Sequence, residues 1–314
     1  MGLHGGAVLK VVLLFPGQGS QKPGMARDLA SAFPAAQAAL ATVDAALGMK
    51  LSQLMFDGPA DELTMTDNAQ PALLAHSAAV WAVLQPELGS NAVAAAGHSL
   101  GEFTAYHAAG ALSLAHAAKL VRRRGELMRT AAAGAMAAVL GTTSSPIEAI
   151  CAEAGGVVIP ANYNAPDQIV ISGEVDAVER AMAIAKERGA KRAIRLPVSG
   201  AFHSPLMAPS TAGLEAALSA AEITEAHLPI YSNVDAQPST GPHDARIKLL
   251  RQLTSPVQWI DSVRNMAAAY PDALFLELGT GSVLNGLVKR IAPEVETAYC
   301  GTPAEVESLL ARAS

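Results

Sequence analysis

Gly97-His98-Ser99-Leu100-Gly101 sets a serine between two glycines and carries the strongest chemical signal in the chain. A serine hydroxyl is a poor nucleophile until a base takes its proton. Upstream, Asn91 to Ala96 reads NAVAAA, a short run of small residues that suits a tightly packed strand. Downstream, Glu102 to Leu114 reads as the start of a helix. GxSxG between a strand and a helix is the nucleophile-elbow arrangement. The glycines permit a sharp turn, the serine oxygen sits at the helix N-terminus, and the Leu100 N–H can face a developing oxyanion. An ordinary tight turn also fits the pentapeptide alone, so partners elsewhere must decide.

The chain has eight histidines. His4 sits in a loose terminus, His76, His107 and His116 fall in helical patterns, and His227 and His243 lie near prolines in loops. His98 adjoins the serine, but neighbours at such a turn diverge. His203 stands apart, in Val198-Ser199-Gly200-Ala201-Phe202-His203-Ser204-Pro205. That segment leaves a small subdomain and re-enters the main one, so it belongs at a cleft, and His203 is the candidate base. Asp167 and Asp176 occupy the sequence interval of a triad acid, yet one reads as a turn residue and the other as a helix residue. A backbone carbonyl can fix the imidazole tautomer instead, so a Ser–His dyad fits best.

The elements that hold these residues alternate between apolar runs and helical patterns, the mark of an α/β protein. Residues 8–15 read as a buried parallel strand. Helical stretches follow to about Leu47 and from about Gln70 to Leu84, the second stopping before Pro86. A basic helix covers about Leu114 to Ala131. Residues 135–140, 157–160, 168–172 and 191–198 read as strands. Helices are expected from Ser145-Pro146-Ile147-Glu148, a capping-box pattern, and over the apolar face Val175, Val178, Met182 and Ala185. This β-α-β-β-α-β order is ferredoxin-like. Strands at 229–234 and 273–278 then resume the main sheet, and Thr302-Pro303-Ala304-Glu305 repeats the capping-box pattern. The fold expected is an α/β-hydrolase-like large domain with a parallel sheet (1–132 and 204–314) and an inserted ferredoxin-like small subdomain (133–203).

A chain of 314 residues that is 51% hydrophobic and 16% charged can bury a sizeable core and is not disordered. Its net charge of -6 argues against nucleic acid as a partner. Cys151 and Cys300 stand far apart, outside any CxxC, which suits a reducing compartment and offers no zinc site. The apolar run before Pro16 is interrupted by Lys10 and lacks a basic leader, so it reads as a strand rather than a signal peptide. No stretch approaches a membrane span. A cytoplasmic protein without metal or bound cofactor is expected.

FPGQGSQ at 15–21, GHSLGE at the elbow, Arg124-Gly125, NAPDQIVISG, GAFHS, SPVQW and ELGTGSVL occur together and in order. Together they resemble the malonyl-CoA:acyl carrier protein transacylase family, including the related acyltransferase domains of polyketide synthases, over nearly the whole chain. The resemblance implies a ping-pong acyl transfer in fatty-acid or polyketide synthesis, from a coenzyme A thioester to the phosphopantetheine thiol of an acyl carrier protein. It implies Ser99 as nucleophile and His203 as base. Backbone N–H groups of Gln18 and Leu100 would form the oxyanion hole, and the backbone carbonyl of Gln258 would orient the histidine.

The resemblance also selects Arg124 over the adjacent Arg122 and Arg123 as the anchor for the malonyl carboxylate. A guanidinium meets a carboxylate through two parallel bonds and stays charged when buried. Phe202 is the position that accompanies unsubstituted malonyl, its bulk crowding a 2-methyl branch. Carrier proteins are acidic, and Lys186, Arg188, Lys191, Arg192 and Arg195 fall within ten residues containing one acid, Glu187. They form a candidate docking patch, with Lys289-Arg290 as a second. The family usually acts as a monomer. A serine acyl hydrolase or thioesterase working on carrier-bound acyl groups is the competing reading. Arg124 separates the two, because a pocket for uncharged acyl groups has little use for a buried cation.

Overall fold

Five consecutive apolar residues, Val11–Phe15, form strand β1 and are buried throughout, as a strand covered on both faces requires. The computed structural model describes residues 9–313 except 132, 199 and 240; His4 lies outside them. The remaining strands are β2 (Ala92–Gly97), β3 (Ala135–Leu140), β4 (Val158–Ala165), β5 (Gln168–Gly173), β6 (Arg192–Arg195), β7 (Ile230–Tyr231), β8 (Pro238–Ser239), β9 (Leu274–Leu278) and β10 (Thr297–Cys300).

The main sheet has the order β10-β9-β1-β2-β7-β8. All its pairings are parallel except β7 with β8. Val11, Leu13 and Phe15 pack into one hydrophobic layer with the helix Thr66–Leu88, while Val12 and Leu14 face another built on the helices Trp259–Ala269 and Val283–Ile291. Strands β1 and β2 pair with Leu13 beside Ala95 and Phe15 beside Gly97. Their outgoing loops therefore leave the sheet side by side at its carboxyl edge, where ligands bind in open α/β sheets.

The second sheet has the order β4-β5-β3-β6 and is antiparallel. With the helices Ile147–Ala154 and Val175–Glu187 this is the ferredoxin-like arrangement read from the sequence. Ala135, Ala137 and Val139 pack beneath those two helices, whereas Met136, Ala138 and Val170 turn the opposite face into the main core. Alternation along β3 thus joins the small sheet to the large one.

Two local expectations fail. The helix Thr66–Leu88 runs past both Pro71 and Pro86. It is buried on nearly every side from Asp67 to Trp81, and Pro86 lies in the last turn, so packing outweighs the bonds that the prolines forfeit. The capping box at Ser145-Glu148 does not form, because Glu148 instead accepts from the Tyr163 hydroxyl. At the chain's last helix it does form: Glu305 Oε2 accepts from the backbone of Gly301 and Thr302, and Glu305 N–H donates to Thr302 Oγ1.

Candidate active site

The elbow is built by close backbone contact. A Cβ on Gly97 would lie 1.9 Å from the Gly101 carbonyl carbon, and one on Gly101 would lie 2.1 Å from the Phe15 carbonyl oxygen. Only glycine lets strand, turn and helix approach this closely. Ser99 between them has φ 52°, a left-handed conformation strained for a residue with a side chain. Asn233, just beyond β7, holds it there. Its Oδ1 accepts from the Ser99 N–H at 2.7 Å and its Nδ2 donates to the Gly97 carbonyl at 2.7 Å. His98 diverges from Ser99, as expected, to bond Asn164 and pack edge-on against Trp259.

His203 Nε2 lies 2.8 Å from Ser99 Oγ, and His203 Nδ1 lies 2.8 Å from the Gln252 carbonyl oxygen. A carbonyl can only accept, so Nδ1 carries the proton and the Ser99 hydroxyl donates to the Nε2 lone pair. Burial, reinforced by the Arg124 guanidinium, pushes His203 down to about 3. The ring is therefore neutral near pH 7 and available as a base. Among the described residues no carboxylate bonds the ring, and Asp167 pairs with Arg290 at 2.8 Å.

The orienting carbonyl is not that of Gln258. Gln252, which ends the helix Pro242–Arg251, supplies it. The Gln258 carbonyl is committed to Ser262 in the first turn of the next helix, and the Gln258 N–H donates to Asn233. A chain turned into its own helix has no acceptor left to offer the imidazole.

Three adjacent arginines on the helix Leu114–Thr130 face three ways, as a 100° step per residue demands. Arg122 bonds Asn68 and Glu126, and Arg123 reaches Glu126 at the surface. Arg124 is 1% exposed. Its Nη1 donates to Gln70 Oε1 at 2.8 Å, and its Nη2 donates to Ser99 Oγ and to Gln252 Oε1, both at 2.9 Å. Its Nε has no partner among the described residues. Burial lowers Arg124 to about 10 while Glu102 holds it up, so it keeps its charge near pH 7. Gly125 allows this depth, since a Cβ there would lie 2.7 Å from Asp67 Cα on the facing helix.

Ser99, His203, Arg124, Gln18, Leu100 and Phe202 all line one cavity of about 230 Å³, with Met128, Met136 and the segment 196–198 as apolar walls. The Ser99 N–H is spent on Asn233, whereas those of Gln18 and Leu100 have no acceptor among the described residues. The sequence reading missed Gln252, Glu102, Asn233 and Gln70. Glu102 is wholly buried, and its Oε2 accepts from Gln252 Nε2 at 2.7 Å and from the Asn233 N–H at 3.2 Å. Its place one turn after the elbow was the only available signal.

Beyond the site, the described residues contain no helix long and apolar enough to cross a membrane.

The model of the acyl transferase domain family matches residues 12–301. The malonyl CoA-acyl carrier protein transacylase of Bacillus subtilis (strain 168) is 46% identical over 304 residues, covering 95% of each chain. That of Escherichia coli (strain K12) is 42% identical over 302 residues, covering 95% of this chain and 97% of the relative. Among solved structures, an acyl carrier protein S-malonyltransferase from Vibrio cholerae superposes with a TM-score of 0.91 at 42% identity, covering 96% of this chain and 99% of that one. A malonyl-transacylase in complex with its type II PKS acyl-carrier protein gives 0.92 at 39% identity, with the same coverage. Matched along nearly its full length in both sequence and fold, the chain belongs to the acyl transferase family of malonyl-CoA:acyl carrier protein transacylases.

Proposed function

We propose that this enzyme moves a malonyl group from coenzyme A to the phosphopantetheine thiol of an acyl carrier protein through an ester on Ser99. The observation that carries the reading is the meeting of a neutral imidazole and a buried guanidinium on one serine oxygen, at 2.8 and 2.9 Å. A hydrolase acting on neutral acyl groups has no use for that cation.

Ser99 Oγ attacks the thioester carbonyl as His203 Nε2 takes the hydroxyl proton. The negative charge on the carbonyl oxygen falls to the Gln18 and Leu100 N–H groups; one such donor is worth on the order of 10²–10³ in rate. Collapse breaks the C–S bond, and the Nε2 proton leaves with the coenzyme A thiolate. The carrier thiol then gives its proton to Nε2 and attacks the ester. Collapse breaks the C–O bond and returns the proton to Ser99 Oγ. Meanwhile Arg124 holds the malonyl carboxylate, and Phe202 crowds the carbon between the two carbonyl groups. No bound cofactor enters these steps.

The carrier protein docks on the basic edge strand β6. Arg192 and Arg195 lie on it, and the chain continues straight into residues 196–198 of the cavity wall. Arg188 and Arg195 are paired with Glu153 and Glu179. Lys186, Lys191 and Arg192 form no ion pair among the described residues, which leaves them for an acidic partner. Of the second patch, Arg290 is taken by Asp167.

Intact-mass analysis after incubation with malonyl-, methylmalonyl- or acetyl-CoA tests the whole reading. Malonyl-CoA adds one malonyl group to the wild type and none to Ser99→Ala. A retained adduct on the variant would place the nucleophile elsewhere.

A further inference from the structure

We propose that Glu102 is the buried counter-charge of Arg124 and, acting through the Gln252 amide, the positioning residue that sets this guanidinium for a carboxylate-bearing acyl group. The inference rests on the transfer reading above.

Arg124 has no carboxylate within ion-pair distance among the described residues, although it is buried and charged. What separates it from the nearest buried anion is one amide. Gln252 is wholly buried, its Oε1 accepting from Arg124 Nη2 at 2.9 Å and its Nε2 donating to Glu102 Oε2 at 2.7 Å and to the Ser99 carbonyl at 2.9 Å. The two ends of an amide are chemically opposite. Turned over, this one would press an NH₂ against the guanidinium and a carbonyl against the carboxylate. Glu102 therefore dictates that Gln252 shows an acceptor to Arg124, and that acceptor fixes one of the two Nη groups. Gln70 Oε1 fixes the other.

Glu102 is itself over-determined. It is wholly buried at the start of the helix Gly101–Ala108, and the Asn233 N–H donates to the same oxygen that Gln252 uses. Its other oxygen makes no hydrogen bond of good geometry, although the Ser232 side chain lies close enough to favour the ionised carboxyl. Burial pushes Glu102 up to about 7 against the pull of these hydrogen bonds, so near neutral pH it carries its charge in part. An apolar side chain would pack there without that penalty, which makes a carboxyl group a poor structural filler. In its ionised form Glu102 offsets Arg124 without contacting it. A direct ion pair would occupy the guanidinium face that the acyl carboxylate must take. Interposing an amide keeps the cation poised and its carboxylate-binding face open.

The test compares acylation of Ser99 by malonyl-CoA and by acetyl-CoA in wild type, Glu102→Gln, Gln252→Leu and Arg124→Ala, with melting temperature recorded for each. Gln252→Leu keeps the backbone carbonyl that orients His203. Glu102→Gln and Gln252→Leu should each lower kcat/KM for malonyl-CoA about tenfold, mainly through KM, as loss of one charge-assisted contact implies. For Glu102→Gln the acetyl-CoA value should stay within about threefold; Gln252→Leu, which also loses the bond to the Ser99 carbonyl, should lower both values but the malonyl one more. Added to Arg124→Ala, Glu102→Gln should change the malonyl-to-acetyl ratio no further, because its effect runs through that residue. Glu102→Asp should recover part of the ratio. Equal losses for both substrates, or an additive double variant, would assign Glu102 to folding alone. An unchanged ratio in both single variants overturns the proposal outright. If the wild type itself forms no malonyl-Ser99, the transfer reading falls and the positioning role falls with it. If the wild type labels normally, only the role of Glu102 is at stake. Should Glu102→Gln fail to fold, Gln252→Leu decides.

Discussion

Arg124 donates through Nη2 to Ser99 Oγ over 2.9 Å, so the proposed carboxylate anchor touches the proposed nucleophile. On the proposed mechanism that contact would limit chain length. A carboxylate held by this guanidinium would lie only a few ångströms from Ser99 Oγ. A three-carbon diacid, with one carbon between its two carbonyl groups, spans that gap.

Arg124→Ala should therefore lose malonyl transfer and keep or gain acetyl transfer. Truncating one member of a buried charge pair costs about 2–5 kcal/mol, which corresponds to roughly 30- to 5000-fold in kcat/KM for malonyl-CoA. Steady-state rates with both thioesters measure it. Equal falls for the two substrates would show Arg124 to be structural.

His203 should leave a signature in acid stability. Its folded value is about 3 against 6.5 for a free histidine, because of burial and then Arg124. Between those values the unfolded chain binds the extra proton, so stability rises with pH through this window and is lost as pH falls below about 6.5. Removing the imidazole removes that slope. From pH 8 to pH 5 the wild type should lose about 2 kcal/mol more than His203→Gln, at roughly 1.4 kcal/mol per pH unit below 6.5. Urea unfolding at the two pH values checks this, and parallel losses would mean that His203 titrates normally. In the wild type, acylation should also show no acid limb from His203 above pH 5.

Much of this site was legible because its chemistry needs particular side chains at short range. The elbow was visible in its two glycines, which the contacts with Phe15 and within the turn require. His203 was visible as the one histidine where the small sheet hands the chain back to the large one. Arg124 was chosen over its neighbours only through the family resemblance, and burial now separates the three. Gln252 was invisible because its first role uses a backbone carbonyl, which any residue carries, and the orienting position was read six residues too late. Its second role, like those of Glu102 and Asn233, depends on contacts between groups more than 120 positions apart, such as the Asn233 side chain with the Gly97 carbonyl. No local spacing encodes such contacts. The helix through Pro71 and Pro86 was misjudged for a related reason, since local propensity does not register burial on all sides.

Phe202 is 7% exposed and lines the cavity beside His203. Phe202→Ala should admit a 2-methyl branch, raising the methylmalonyl-to-malonyl ratio of kcat/KM by roughly 10- to 100-fold, the range of one pocket contact of about 1–3 kcal/mol. Competition between the two thioesters for Ser99, read by intact mass, measures the ratio. No change would make Phe202 a packing residue.

Gly101→Ala tests the elbow directly. The added methyl meets the Phe15 carbonyl oxygen at 2.1 Å, and backbone cannot swing aside as a side chain can. Either β1 or the helix must shift, at about 1–3 kcal/mol, the usual penalty for overpacking. Because the shift displaces Leu100 relative to Gln18, acylation should slow by more than stability alone explains. Chemical denaturation with single-turnover labelling separates the two effects. Unaltered stability would contradict the contact.

The proposed docking face on β6 can be tested by charge reversal. Lys191 and Arg192 are exposed at the start of β6 and free of ion pairs among the described residues. Neither lines the cavity that holds Ser99 and His203. Lys191→Glu combined with Arg192→Glu should leave malonyl-CoA acylation of Ser99 unchanged and raise the KM for carrier protein several-fold at low salt. Opposite charges steer encounter across water, and that attraction is screened beyond about 8 Å at physiological ionic strength, so the difference should shrink as salt is added. Arg195→Glu should act more weakly, because Arg195 is already paired with Glu179 at 2.9 Å and its charge is partly spent. Carrier-protein KM at two salt concentrations, with single-turnover acylation as control, distinguishes docking from catalysis. An unchanged KM at low salt would move the carrier surface away from β6.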